Sequence, residues 1–163
     1  MIKLKKALLV CFILVSPALM AATESRYERG QNLIFIGEGS LKVFLWRVYD
    51  VRLLSDNQKF SWSNDLVLEF DYQRALKKNA VIEASAKEMR RQKGVTEKQL
   101  SKWQTYLQLA IKPAEKATKA SLYWTAEGRI TFYYDGVKTV TIEDADFARA
   151  FLNIWLGPDT SEP

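Results

Sequence analysis

GEGSLKVFLWRVYDVRLL, residues 37–54, is the stretch whose reading decides the fold. Gly37-Glu38-Gly39 reads as a turn, and Leu41 to Leu54 as one long strand with room for a bulge. With period two, Val43, Leu45, Arg47, Tyr49, Val51 and Leu53 share one face, and Phe44, Trp46, Val48, Asp50, Arg52 and Leu54 share the other. Both faces are apolar enough to be covered. Arg47, Asp50 and Arg52 therefore need partners, water or a ligand, because an unpaired buried charge is costly. The run is either the electrostatic spine of a sheet or the wall of a polar-tipped pocket.

Outward from this strand, the remaining elements follow from periodicity and punctuation. Leu33 to Ile36 reads as a short strand, residues 55–65 as a loop holding Trp62, and Leu66 to Tyr72 as a strand with Leu66, Leu68, Phe70 and Tyr72 on one face. Asn79 is placed to cap a helix carrying Ile82, Ala86 and Met89 and ending at Gly94. Thr96 and Gln99 form a capping-box pattern for a second helix with the stripe Leu100, Trp103, Leu107 and Ile111, ended by Pro113. Strands at 120–125, 129–134 and 137–142 follow, the last two joined by Asp135-Gly136, a strong two-residue hairpin signal. A last helix starts near Asp144, buries Phe147, Phe151 and Ile154, and stops at Gly157-Pro158. Strands, two helices, a meander and a helix make an α+β domain, an antiparallel sheet with helices packed on one face.

The first 22 residues have the layout of a cleaved secretory signal peptide. Lys3, Lys5 and Lys6 precede an apolar core from Ala7 to Val15, Pro17 breaks it, and Ala21 and Ala22 offer cleavage after either residue. The apolar run is shorter than the roughly 20 residues a spanning helix needs. Export to a periplasm-like compartment is the expectation, with 23–31 a polar leader and 32–163 the domain. The signal takes three of the 24 basic residues, which leaves 21 against 19 acidic ones, so the pI of about 9.3 gives little support for nucleic-acid binding. The only cysteine, Cys11, lies in the signal, and the chain has no histidine. Ser/His/Asp and Cys/His catalysis and zinc sites built on His or Cys are therefore excluded. No metal or other cofactor is expected.

GEGSLKVFLWRVYDVRLL, LEFDYQR, KEMRR and FARAFLNIWLGPDTSEP, in this order and spacing, resemble the bacterial exported chalcone isomerase-like family over nearly all of the chain from Leu33. The resemblance implies an open-faced β-sandwich: a large antiparallel sheet, a layer of helices and a cleft between them. Relatives include plant flavanone-forming isomerases and non-catalytic fatty-acid-binding proteins. The isomerases' arginine position falls here on Leu41, or on Lys42 with a one-residue slip, and their threonine position on Phe44. No tyrosine lies between Tyr72 and Tyr106 to take the third role. These losses argue against chalcone isomerisation, since the anion-positioning cation and the hydroxyl network are gone.

The binding relatives hold a carboxylate with an arginine and a tyrosine. Candidates here are Arg74, after the Tyr72 strand end, and the Arg47/Tyr49 pair, because a guanidinium can donate two parallel hydrogen bonds. Against this, Asp50, Glu69 and Asp71 are ready cross-strand partners for Arg47 and Arg52. Trp103 and Trp155 lie on helix stripes and read as core. Lys87, Arg90, Arg91 and Lys93 could touch lipid headgroups at a membrane surface, although cations at a helix end also complement its dipole. Asp144 and Asp146 sit where caps belong.

The resulting expectation is an exported, non-catalytic domain that binds a small amphipathic or fatty-acid-like ligand between sheet and helices, with Arg47, Tyr49, Tyr72 and Arg74 as candidate contacts. Alternatives are an isomerase or lyase acting on an enone or chalcone-like substrate, and an envelope interaction protein with a collapsed cleft.

Overall fold

Six strands follow one another across a single antiparallel sheet in chain order. They are β1 (Ile34–Val43), β2 (Trp46–Ser55), β3 (Leu66–Tyr72), β4 (Lys119–Trp124), β5 (Ile130–Tyr134) and β6 (Val137–Ile142). Helices α1 (Lys78–Arg91) and α2 (Glu97–Ala110) are inserted between β3 and β4, and α3 (Ala145–Leu156) follows β6. The structure, a computed structural model, describes residues 33–158 and Thr160, all within one unit spanning Gln31–Pro163. The expected signal peptide, its expected cleavage site and the expected polar leader lie outside the described residues.

The α+β architecture is the one read from the sequence, but its first hairpin is not. Gly37–Gly39 is no turn. It lies inside β1, and the chain reverses instead at Phe44-Leu45. What reads as one long strand from Leu41 is thus the end of β1, a tight turn and β2. The apolar pattern runs unbroken through the reversal and hides it, because Phe44 takes a left-handed φ of 55° normally left to Asn, Asp or Gly.

Two irregularities shape this hairpin. Phe35 pairs with Leu54 and Gly37 with Leu53, so Ile36 is an extra residue on β1. Leu41 pairs with Tyr49 and Lys42 with Arg47, so Val48 is an extra residue on β2. A bulge sets two residues of one strand against one of the other and re-aims side chains locally.

The other elements form for local reasons that the sequence states more openly. Thr96 Oγ1 accepts from Gln99 N at 3.3 Å while Thr96 N donates to Gln99 Oε1 at 2.9 Å, the reciprocal capping box of α2. Asp144 caps α3 by accepting from Phe147 N at 2.9 Å and also pairs with Lys102 Nζ at 2.6 Å. The helix-start role predicted for Asn79 is corrected: α1 begins at Lys78 behind Lys77, which makes no side-chain cap. Asp135 and Gly136 both have positive φ, 48° and 79°, as the two-residue hairpin requires.

The helices pack on one face of the sheet. Leu66, Leu68 and Phe70 of β3 and Leu122 and Phe132 of the next strands form its buried side. They meet Ile82 and Met89 of α1, Trp103 and Leu107 of α2, and Phe147 and Phe151 of α3. Phe151 bridges the layers, with ring centroids 5.5 Å from Phe132 and 5.7 Å from Phe147. Each such side chain contributes on the order of 1.5–3 kcal/mol on burial, so this layer holds the fold together.

Candidate functional site

Between the sheet and helices α1 and α3 the packing is incomplete. A cavity of about 220 Å³ remains there, walled by Phe70, Leu122 and Phe132 from the sheet and by Ala84, Phe151 and Ile154 from the helices. A second cavity of about 210 Å³ runs along β1, and Leu41, Tyr49 and Trp155 line both. Together they fall at the lower end of the range of ordinary small-molecule sites, roughly 300–1,000 Å³.

Gly37 and Gly39 explain the second cavity. They pair with Leu53 and Val51, which line it, and opposed residues in an antiparallel pair point to the same face. A Cβ on Gly37 would meet nothing within 4 Å, and one on Gly39 only Val51 Cγ1 at 3.7 Å. Neither glycine is needed for a turn; each leaves space where a side chain would stand.

Three phenols, Tyr49, Tyr72 and Tyr134, line the cleft alongside Ser85 and Glu88. Trp155 Nε1 donates to Tyr49 Oη at 2.8 Å, and the Tyr49 ring meets Phe70 edge-on at 5.3 Å and Tyr72 at 6.0 Å. Burial, with smaller contributions from Tyr134 and Tyr49, pushes the Tyr72 phenol far above its ordinary value. Burial also raises Tyr134, whose Oη accepts from Lys112 N at 3.2 Å. These hydroxyls stay protonated at physiological pH and act as hydrogen-bonding groups, not charges. Glu88 lines the first cavity, where Arg91 pairs with it at 3.0 Å, and Glu38 lines the second. Among the described residues lining either cavity, none is Lys or Arg.

Of the four candidate contacts, the fold brings Tyr49 and Tyr72 together in the cleft and leaves Arg47 and Arg74 outside its lining. The bulge at Val48 is the reason for Arg47. It turns consecutive Val48 and Tyr49 both inward, which breaks the alternation that placed Arg47 beside Tyr49. Arg47 instead meets Asp50 at 3.4 Å, and Gln73 Nε2 donates to the same carboxylate oxygen at 3.1 Å. Arg74 lies over the exposed Trp46 ring, 5.0 Å from its centroid. Arg52 takes the cross-strand partner foreseen for it, Glu69 at 3.9 Å, and Lys119 pairs with Asp71.

Trp155 and Tyr134 are cleft residues that the sequence reading missed. Trp155 shares a helical stripe with Phe151, so its spacing gives core and cleft the same appearance. Trp103, by contrast, is core as read. In the basic cluster, Arg90 pairs with Glu97 at 2.8 Å, beside the Arg91–Glu88 pair. Leu41, where the resemblance places the isomerases' arginine, presents an apolar side chain to both cavities, and Phe44 stands out at the hairpin turn.

A family profile described as chalcone isomerase-like matches residues 22–162. The chain belongs to the chalcone isomerase-like family. Among solved structures, a fatty-acid binding protein of Arabidopsis thaliana is similar at a TM-score of 0.59 and 11% identity, over 80% of this chain and 82% of that one. At that identity the likeness shows the fold. No curated protein sequence matches. In this chalcone isomerase-like chain the sheet–helix cleft is present, with Leu41 in its wall.

Proposed function

We propose that this protein is exported and, without catalysing a reaction, binds a small acyl or similarly apolar ligand whose polar end is uncharged. The observation that carries the reading is the cleft itself: apolar walls, protonated phenols and no cation among its described lining residues. A carboxylate placed there would lose its hydration without an ion partner among the lining residues, the Glu88 carboxylate being already paired with Arg91, and that disfavours it. An alcohol, ester or ketone needs only a hydrogen bond, which Tyr72 or Tyr134 can supply. The fold shared with a fatty-acid binding protein supports an acyl occupant. The signal-like first 22 residues support export, and N-terminal sequencing of envelope-purified protein should begin at Ala22 or Thr23.

The test is a fluorescence titration with a long-chain alcohol, its methyl-ester counterpart and the matched fatty acid. The two uncharged ligands should bind, with the carboxylate weaker by about tenfold or more at neutral pH. Gly39→Val should keep the fold, because its Cβ has room and Val suits a strand, yet weaken binding by about tenfold by filling the cavity. Tightest binding by the carboxylate, or affinity indifferent to Gly39→Val, would overturn the reading.

A further inference from the structure

The turn between β1 and β2 presents four consecutive apolar residues to solvent. Phe44 is 94% exposed and Leu45 96%, flanked by the exposed Val43 and Trp46. Scattered apolar side chains are ordinary on a surface; a contiguous projecting set marks an interaction site. The backbone sharpens the point. Asn or Gly at position 44 would relieve the left-handed strain, so a phenylalanine there spends stability on an exposed ring.

Cations surround the base of this tip. Lys42 and Arg47 face each other across the hairpin, and the Arg74 guanidinium stacks over Trp46. Asp50 is the carboxylate within reach, paired with Arg47. Phe and Leu at the apex, Trp below them and Lys/Arg at the base follow the polarity gradient of a bilayer surface from acyl chains through the interface to anionic headgroups. Tryptophan is suited to that middle level, having an apolar body and one N–H donor. A protein partner would be matched by the apolar tip alone; the ring of cations singles out an anionic membrane.

We propose that the β1–β2 hairpin is a membrane-docking tip that inserts Phe44 and Leu45 into the outer acyl region of an anionic bilayer, with Trp46 at the interface and Lys42, Arg47 and Arg74 on the headgroups. Leu41 and Val48, a few residues from the apex, line the cleft. Provided the cleft binds an apolar ligand as proposed above, docking brings its mouth to the phase in which such ligands are dissolved.

Co-sedimentation of the full chain with phosphatidylglycerol/phosphatidylethanolamine vesicles, against phosphatidylcholine vesicles, tests the proposal. The wild type should partition onto the anionic vesicles with a blue shift in tryptophan emission that Trp46→Phe removes. Leu45→Asp should cut partitioning by about tenfold or more while leaving alcohol binding in solution unchanged. Wild type that stays in the supernatant, or Leu45→Asp that partitions normally, overturns it. Concentration-dependent self-association abolished by Leu45→Asp, with no vesicle binding, would assign the tip to a second copy instead. Vesicle binding is read without added ligand, so its failure leaves the cleft reading standing, and failure of the alcohol titration leaves the tip standing.

Discussion

Single side chains in the cleft set how the protein responds to alkali. Tyr72 and Tyr134 have phenols whose ionisation is pushed up by burial. The unfolded chain therefore releases these protons first, from about pH 10. Above that pH the native state binds more protons than the unfolded one, and stability falls as pH rises further. Below it the contribution is fully present. Urea midpoints measured from neutral to strongly alkaline pH should stay level and then drop, and Tyr72→Phe should make the drop shallower. An equally steep drop in that variant would show that Tyr72 is not the group responsible.

At the level of elements, two glycines with nearly the same backbone angle separate strain from contact. Gly94 and Gly128 have φ of 89° and 90°. A Cβ on Gly94 meets nothing within 4 Å, whereas one on Gly128 would lie 2.6 Å from Ala145 Cβ, where the β4–β5 turn touches the start of α3. Gly94→Ala should cost about 1 kcal/mol from the left-handed conformation alone, and Gly128→Ala clearly more, about 2–4 kcal/mol. Equal losses in chemical denaturation would mean that α3 yields freely at Ala145. Elements with local determinants were legible in the sequence. The Thr96–Gln99 box, the Asp144 cap and the Asp135-Gly136 turn each carry their own chemistry within a few residues, as does the period of β3. The first hairpin was not legible, because its turn is built from Phe44 and Leu45 and its register depends on pairing between strands. The same bulge hid half of the site: Tyr49 and Tyr72 could be named from strand position, but the exclusion of Arg47 follows from an extra residue that only the paired strand reveals.

For the molecule as a whole, an unfilled cleft is a reservoir of stability that a ligand can supply. A ligand bound only by the native state stabilises it by about 2.7 kcal/mol at a hundredfold excess over Kd. Saturating long-chain alcohol should therefore raise the melting temperature by several degrees, and Gly39→Val, with its cavity already occupied by protein, should respond much less. An equal rise in both proteins would locate binding away from the β1 cavity.

The extra residue at Val48 also bears on how such a fold changes its ligand. Strand parity is a binary switch, and one inserted codon sets it. Inserting one residue between Leu41 and Lys42 would give Val48 a partner, restore the alternation that sets Arg47 on the face of Tyr49 and turn a guanidinium toward the phenols, so that a neutral cleft acquires a counter-ion from a residue already present. The insertion variant should gain affinity for a fatty acid over its alcohol, read by the same titration. By this route insertion and deletion in one strand, without point mutation of the pocket wall, can separate relatives that hold anions from relatives that hold uncharged molecules.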